Sequence, residues 1–295
     1  MPTRREDWTT DIHDGVTAYS MAGSGPAVLM LHGFPQSRAM WYPIAAELIA
    51  YHTVVLADLR GYGESQKPDQ NRPQDCAAYS FRAMADDLLT LMREIGFDRF
   101  HLMGHDRGAR VAHRMALDAP QRIASVTLMD IVPTHLLLTE LSHQVAQSYF
   151  HWFFLSQPYP FPERLIASDP DYFFEACLLG WGGARLEDFS ASQLATYRTA
   201  WRRPETIFGM CQDYRATLKH DLTADMQDLE RRAECPALVL YGADGAMAQH
   251  YDVPASWADR LSDMRSSTIP GGHFFPDTAP KATAEALISF LSRCS

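Results

Sequence analysis

The chain has 295 residues, with 26 Lys and Arg, 36 Asp and Glu, and a formal net charge of −10 at neutral pH. Hydrophobic residues make up 46% of the sequence and charged residues 21%, which excludes a disordered or fibrous chain. The negative charge argues against partners such as nucleic acid or an anionic membrane, and a small anionic ligand would need a local positive site.

Targeting and metal-binding signals are also missing from the sequence. No stretch approaches the ~20 apolar residues of a membrane span. The basic pair within residues 1–7 is not followed by the apolar core of a signal peptide. The five cysteines are scattered without C-x-x-C spacing, so neither a disulfide framework nor a metal site is predicted, and a cytoplasmic location is expected.

Short apolar runs that end in polar or Gly-rich turns predict buried strands along most of the chain. The predicted strands are residues 27–31, 53–56, 100–103, 125–129 and 237–241. Helical patterns lie between them, for example over residues 80–95, where Phe81, Met84 and Leu88 share one face. This alternation predicts a parallel α/β sheet that binds its ligand at the carboxyl ends of the strands.

The strand pattern stops between Thr134 and Asp225, a segment that holds 16 of the chain's 33 aromatic residues. We therefore predict a core domain formed by residues 1–133 and 226–295, with an inserted helical cap domain at 134–225. Some of the aromatic rings are expected to line a site, and others to form only the core of the cap.

The sequence Gly104-His105-Asp106-Arg107-Gly108 lies between a predicted strand and a predicted helix. It matches the G-x-S-x-G nucleophile elbow with Asp in place of Ser, in which small flanking residues allow a sharp turn that exposes the middle side chain. A Gly-rich turn with Asp106 as a helix cap is the alternative interpretation.

Other motifs lie before and after this turn. A Gly-containing loop follows the first strand, and a candidate acid and a candidate histidine follow Asp106, which gives the order nucleophile, acid, histidine. They are Leu31-His32-Gly33-Phe34-Pro35, Asp58 to Ser65, Asp130 and Gly271-Gly272-His273-Phe274. In this arrangement the chain resembles the α/β-hydrolase superfamily, with a mostly parallel sheet, flanking helices and a helical cap after Asp130.

Aspartate in place of serine changes the predicted chemistry, because a carboxylate can displace a leaving group from saturated carbon and become an ester. His273 would then activate a water molecule that hydrolyses the ester of Asp106. The backbone amides of Phe34 and Arg107 would stabilise the oxyanion of this second step.

Two positions compete for the acid that orients His273. Asp130 follows the strand after the elbow, and Asp244 follows a later strand, where many members of the superfamily carry their acid. We favour Asp130 and leave Asp244 open.

Arg107 and Arg110 lie three residues apart at the start of the predicted helix and share a face beside Asp106. Cations at a helix N-terminus oppose the helix dipole, so their position favours a functional role, namely a bidentate anchor for a substrate carboxylate. Alternatively, each arginine pairs with an Asp or Glu elsewhere in the fold.

The sequence Gly-His-Asp-Arg-Gly-Ala-Arg at 104–110, together with His151-Trp152 and Tyr214 in the cap, resembles the fluoroacetate dehalogenases. The resemblance implies Asp106 as nucleophile, His273 as base, Asp130 as its partner, and Arg107 and Arg110 as carboxylate ligands. It further implies a halide pocket and a cavity lining, and a homodimer. The halide pocket would contain His151, Trp152 and Tyr214, and the cavity lining Phe34 and Trp181.

Imidazole and indole N–H and phenol O–H groups suit a small, hard leaving group such as fluoride. Taken singly, Trp152 is more typical of a core ring, and His151 or Tyr214 of a buried polar residue. Only their combination with the elbow arginine favours the pocket.

We therefore predict a cofactor-free hydrolase that converts short 2-haloacids, fluoroacetate first, to glycolate and halide. An epoxide hydrolase that uses Asp106, with Tyr214 and a second cap tyrosine such as Tyr149 as acids, is the alternative enzyme. A ligand-binding module on a degenerate hydrolase fold is the non-enzymatic alternative.

Overall fold

The computed structural model describes residues 8–68, 70–180 and 183–294, which are built around one eight-stranded sheet. The strand order is β1-β2-β4-β3-β5-β6-β7-β8. The first two strands pair antiparallel, β2 also pairs antiparallel with β4, and the six strands from β4 to β8 are parallel. The strands are β1 Thr9–His13, β2 Thr17–Gly23, β3 Ala27–Leu31, β4 Thr53–Ala57, β5 Phe100–His105, β6 Ile123–Met129, β7 Ala233–Gly242 and β8 Leu261–Ile269.

All five predicted strands are confirmed, and their observed ends lie within four residues of the predicted ones. The sequence analysis missed the two edge strands, β1 and β8, and also β2, which lies between β1 and β4. Strand β8 is exposed at most of its positions, and its central residues are polar, so it has no apolar run to reveal it.

Helices cover the parallel part of the sheet. Those of the core are α1 Tyr42–Leu48, α2 Phe81–Glu94, α3 Arg107–Asp118, α12 Ala246–His250, α13 Val253–Trp257, α14 Phe275–Thr278 and α15 Pro280–Leu291. Helix α2 begins where Ser80 accepts a hydrogen bond from the amide of Ala83, which confirms the predicted helix.

The chain between β6 and β7 contains helices and no strand among its described residues. Its helices are α4 Thr134–Thr139, α5 His143–Ser148, α6 Phe150–Leu155, α7 Phe161–Ile166, α8 Pro170–Gly180, α9 Ala191–Trp201, α10 Pro204–Ala216 and α11 Leu222–Gln227. A π-helical turn, Thr217–Asp221, separates α10 from α11. We refer to residues 134–225 as the cap segment. No helix in the described part of the chain is both long and apolar enough to span a membrane.

The register of the sheet places three polar side chains at one edge. His105 at the end of β5 lies opposite Met129 at the end of β6. The next residues, Asp106 and Asp130, continue this pairing, because the amide of Asp106 donates to Met129 and that of Asp130 to Leu240. His273 follows β8 by four residues and reaches the same edge.

Candidate active site

Asp106 lies on a sharp turn between β5 and α3, with φ +47° and ψ −113°. This backbone conformation costs a non-glycine residue about 1–3 kcal/mol and occurs mainly at functional sites. The turn needs its two glycines, because a Cβ on Gly104 would collide with the backbone of Gly108, and a Cβ on Gly108 with the carbonyl of Leu31. The elbow geometry predicted from the sequence is therefore present.

The carboxylate of Asp106 is 5% exposed and accepts a hydrogen bond at Oδ2 from the amide of Phe34, at 3.0 Å. Burial alone raises the pKa of Asp106, but the positive charges of His273, Arg107 and Arg110 outweigh burial and hold this pKa below its ordinary value. The group is thus kept ionised, as a nucleophile requires.

His273 is buried, and its Nδ1 lies 2.7 Å from Oδ2 of Asp130. The other oxygen of Asp130 accepts a hydrogen bond from the amide of Gly242 at 2.8 Å, which fixes the carboxylate. Asp244 lies exposed on the turn after β7, where its amide donates to Gly271. Of the two candidate acids, the structure brings Asp130 to the histidine.

The pKa of His273 reflects opposing effects. Burial lowers this pKa, but the hydrogen bond and charge of Asp130 and the charge of Asp106 raise it above its ordinary value. The ring of His105 lies nearby, tilted by 45° to that of His273 with centroids 4.7 Å apart, and its Nε2 donates to the carbonyl of His273 at 2.8 Å. Burial lowers the pKa of His105 to about 4, so its ring is neutral. His105 thus supports the loop that carries His273.

Arg107 is fully buried and paired with Asp213 of helix α10. Its Nε donates to Oδ2 of Asp213 at 2.9 Å, and its Nη2 contacts Oδ1 of Asp213 and Oγ1 of Thr217. The hydroxyl of Tyr62 also donates to Oδ2 of Asp213, at 2.6 Å. Burial lowers the pKa of Arg107, but Asp213 outweighs it, so the guanidinium stays charged.

Arg110 differs from Arg107, because no carboxylate of the described residues lies within ion-pair distance of its guanidinium. Its Nη1 donates to the carbonyl of Val132 at 3.1 Å and to Oγ1 of Thr134 at 2.9 Å. Burial lowers the pKa of Arg110 to about 10, which still leaves it charged at neutral pH. The alternative that each arginine pairs with an acid thus holds for Arg107 and not for Arg110.

Two fully buried nitrogen atoms of this pair have no hydrogen-bond partner within the described residues, Nη1 of Arg107 and Nε of Arg110. The ring of Trp152 contacts both guanidiniums, with its centroid 5.1 Å from Cζ of Arg107 and 4.8 Å from Cζ of Arg110. The arginines therefore form one cationic site against an aromatic face.

The cap residues predicted to hold halide lie together in the structure. The ring of Tyr214 lies 5.5 Å from those of both His151 and Trp152, and Phe34 stacks on His151 at 5.6 Å. Burial lowers the pKa of His151 well below its ordinary value, so the imidazole is neutral. Within the described part of the chain, neither Nε1 of Trp152 nor the hydroxyl of Tyr214 has a hydrogen-bond partner.

Of two further residues predicted from the sequence, the structure describes one and not the other. Tyr149, the second tyrosine of the epoxide hydrolase alternative, is buried, and its ring lies 5.6 Å from that of His151. Burial raises the pKa of its phenol well above the ordinary value. Trp181, predicted to line the cavity, lies outside the described residues.

Sequence reasoning missed the residues that hold Arg107, namely Asp213, Thr217 and Tyr62. Asp213 lies 106 residues from Arg107 along the chain, and no local motif links the two. The one available signal was chemical, since a buried arginine at an elbow implies a buried acid somewhere in the fold.

Among the described residues, a group of three potential metal ligands consists of His13, Asp14 and Glu94. It lies on β1, the following turn and α2, and includes none of the residues discussed above.

Comparison with known proteins places this geometry in a family. The model of the α/β-hydrolase fold matches residues 26–280. A fluoroacetate dehalogenase from Burkholderia sp is 50% identical over 96% of this chain and 92% of its own length. The chain belongs to the fluoroacetate dehalogenase family of α/β hydrolases.

Other relatives of this dehalogenase-family chain are less similar. A soluble epoxide hydrolase from Corynebacterium sp. (strain C12) is 26% identical over 93% of each chain. Among solved structures, ALR0039 from Nostoc sp PCC 7120, assigned as an α/β hydrolase, is 40% identical with a TM-score of 0.94, covering 98% of this chain and 99% of its own. The fold and the sequence thus agree on the α/β-hydrolase superfamily.

Proposed function

We propose that the protein hydrolyses short 2-haloacids, fluoroacetate first, to glycolate and halide through an ester on Asp106. The observation that carries the proposal is the pair of buried guanidiniums beside this carboxylate, with Nη1 of Arg107 and Nε of Arg110 unpartnered within the described residues. A buried donor left unsatisfied costs about 1–3 kcal/mol, and a substrate carboxylate would satisfy both.

In the first step, Asp106 attacks C2 of the haloacid, and the carbon–halogen bond breaks as the ester bond forms. Oδ2 of Asp106 is held by the amide of Phe34. Oδ1 is therefore the attacking oxygen in this proposal, and attack in line with the leaving group inverts a chiral carbon. The departing halide takes the bonding electron pair.

The cap supplies donors for the departing halide. Nε1 of Trp152 and the hydroxyl of Tyr214 are buried and unpartnered among the described residues, and neutral His151 lies beside Tyr214. Fluoride concentrates its charge on a small ion, so it gains more from short N–H and O–H hydrogen bonds than the larger halides do.

In the second step, His273 takes a proton from water, and the resulting hydroxide attacks the ester carbonyl of Asp106. The oxyanion forms on Oδ2, where the amides of Phe34 and Arg107 stabilise it. Its collapse breaks the bond between the carbonyl carbon and Oδ1, and the departing glycolate oxygen takes the proton that His273 received. The negative charge of Asp106 is one cause of the raised pKa of His273. Esterification removes that charge, so the pKa of His273 falls when the histidine is needed as a base.

An epoxide fits this site less well, because it is neutral and would leave the two arginine nitrogens without a partner. The same Asp106 and the tyrosines Tyr149 and Tyr214 would nevertheless suffice for epoxide opening. Activity on each substrate class therefore separates the two enzymes.

The test measures fluoride release from fluoroacetate and fluoroacetamide, and diol formation from styrene oxide, with Asp106→Ala as the inactive control. Fluoride release from the acid, with little from the amide, supports the proposal. Diol formation without fluoride release would favour the epoxide hydrolase, and no turnover of any compound would favour the binding module. Equal rates on acid and amide would contradict the role given to Arg107 and Arg110.

Four further predictions from the sequence belong to this proposal. We propose a cytoplasmic homodimer that needs no cofactor, built from a core domain and a cap domain with the boundaries given above. All five cysteines are free thiols, in keeping with a reducing compartment. Light scattering of the purified protein tests the dimer.

A further inference from the structure

The carboxylate of Asp213 is fully buried and occupies one edge of the Arg107 guanidinium. It accepts from Nε at 2.9 Å and also contacts Nη2, while the backbone carbonyl of Asp213 accepts from Nη2 at 3.3 Å. Thr217 supplies another oxygen to Nη2, and its own hydroxyl donates to the carbonyl of Asp213 at 3.0 Å. Protein groups therefore use both Nε and Nη2.

A guanidinium binds a carboxylate in bidentate fashion through two neighbouring nitrogens. With Nε and Nη2 occupied by Asp213 and Thr217, Arg107 has only Nη1 left for a ligand. The bidentate anchor expected from the sequence is thus not available on Arg107 alone. A substrate carboxylate would take one nitrogen from Arg107 and another from Arg110.

We propose that Asp213, with Thr217, is a positioning residue that fixes Arg107 as a single-nitrogen donor and cancels its charge, leaving Arg110 to supply the net charge that attracts the acid. This inference rests on the proposed function for the identity of the substrate. In this proposal Arg107 aligns the substrate carboxylate through one fixed nitrogen, and Arg110 attracts the carboxylate through its charge.

The surroundings of Asp213 support a positioning role. The hydroxyl of Tyr62, from the loop after β4, donates to Oδ2 of Asp213, so the acid is tied to the core as well as to α10. At Gly209, one turn earlier on α10, a Cβ would lie 2.6 Å from both Cα and the carbonyl oxygen of Gly61. The helix therefore packs backbone against backbone, which leaves little freedom to the pair formed by Asp213 and Arg107.

The electrostatics of the two arginines agree with this division. Arg107 and Asp213 form a buried ion pair of zero net charge, and a removed partner would leave an uncompensated charge. Among the described residues, the hydrogen-bond acceptors of Arg110 are the neutral oxygens of Val132 and Thr134. An incoming carboxylate is therefore attracted chiefly by Arg110 and aligned by Nη1 of Arg107.

The experiment uses Asp213→Asn and Thr217→Val, with calorimetric affinity for acetate and the rate of halide release from fluoroacetate as separate readouts. Acetate carries the carboxylate without a leaving group, so its binding does not depend on any reaction. In Asp213→Asn, acetate should bind at least as tightly as in the parent, because Nη1 and Arg110 remain and a cancelling negative charge is gone. The kcat for fluoride release should fall by about 10-fold to 100-fold, because Arg107 is no longer held in place.

Glu163→Gln is the matched control, because Glu163 forms another buried ion pair of the cap, with Arg215. It should leave both readouts near those of the parent. If Asp213→Asn weakens acetate binding as much as it lowers kcat, Asp213 is merely structural and the proposal fails. An unchanged kcat in Asp213→Asn would also contradict the proposal.

Thr217→Val keeps the proposal testable if Asp213→Asn does not fold, since it removes one acceptor and no charge. It should lower kcat about threefold or more with unchanged acetate affinity, and a parental kcat would contradict the proposal. If the parent binds acetate but releases no halide, the proposed function fails. In that case the affinity for acetate alone tests whether Asp213 and Thr217 are positioning residues, and weaker acetate binding in either variant would contradict this role.

Discussion

The amide of Phe34 donates to Oδ2 of Asp106 at 3.0 Å, so the two oxygens of this carboxylate are not equivalent. Oδ2 already lies where the oxyanion of the ester intermediate would form, and Oδ1 carries no such hydrogen bond from Phe34. The elbow thus presents one oxygen for attack while the other is held at the site of the later negative charge.

A single turnover in ¹⁸O-labelled water should therefore place label in the side chain of Asp106. Water attacks the ester carbonyl in the proposed mechanism, so the labelled oxygen stays on the protein and glycolate leaves with an unlabelled one. Mass spectrometry of the peptide that contains Asp106 measures this. Label found only in glycolate would show direct attack by water on the substrate.

His273→Asn should still release about one halide per site and then stop, because displacement by Asp106 does not need the base whereas ester hydrolysis does. The intact mass should rise by that of the haloacid less one hydrogen halide, which is the part that stays on Asp106 as the ester. His143→Asn, at an exposed histidine of the cap, is the control and should turn over normally. Failure of His273→Asn to release even the first halide would mean that the histidine acts earlier.

Asp130→Asn and Asp244→Asn distinguish the two acids that the sequence left open. Asp130 lies 2.7 Å from Nδ1 of His273, whereas Asp244 is exposed. Asp130→Asn removes the charge that stabilises protonated His273, so turnover should fall by about 10²-fold or more and ester should accumulate. Asp244→Asn should retain parental rates, and a comparable loss there would reverse the assignment.

The elbow and the position of His273 could be predicted because their signals are local. Gly104, Asp106 and Gly108 lie within five residues, and the tight turn can be built with little else. The pairing of Arg107 with Asp213 depends on how α10 of the cap packs on the core, which no short segment encodes. Strand β8 escaped prediction for another reason, because its pairing with β7 outweighs a polar sequence.

Trp152→Phe and Tyr214→Phe should each lower the rate on fluoroacetate by a larger factor than the rate on chloroacetate. Each change removes a buried hydrogen bond to an anion, which corresponds to a rise of about 1–3 kcal/mol in the activation free energy. The reason is the greater need of fluoride for N–H and O–H donors. Paired kinetics on both acids, with displacement rate-limiting, measure the difference. Trp201→Phe is the control, since its indole N–H bonds to Asp171. Trp201→Phe should change the rates on both acids by the same factor. If Trp152→Phe and Tyr214→Phe also lost activity equally on both acids, these two residues would serve packing and not halide binding.

Asp221→Asn should change how stability depends on pH. Asp221 is buried, accepts at Oδ1 from the amide of Phe81 at 2.9 Å, and has no partner at Oδ2 among the described residues. Burial raises its pKa to about 8, so between about pH 4 and pH 8 the folded protein keeps a proton that the unfolded chain has lost. The free energy of unfolding of the parent therefore falls as pH rises through this window.

Relative to Asp221→Asn, the parent should lose at most about 1.4 kcal/mol per pH unit in that window, with no further change above it. Urea unfolding at pH 5, 6, 7 and 8 measures the difference. In Asp259→Asn, at a surface aspartate whose side chain is 91% exposed, the free energy of unfolding should depend on pH as it does in the parent. A difference between Asp221→Asn and the parent that does not vary with pH would show that Asp221 is ionised in the folded protein.

Asp213 and Tyr214 are neighbours on α10, which packs tightly on the core through Gly209 and Gly61. Asp213 pairs with Arg107, and in the proposed function Tyr214 would donate its hydroxyl to the departing halide, so one rigid helix would position groups at both ends of the substrate. Any displacement of that helix would disturb both ends at once. Evolution or a designer could therefore retune the preferred halogen more readily by exchanging side chains on α6, at His151 or Trp152, than by shifting the cap.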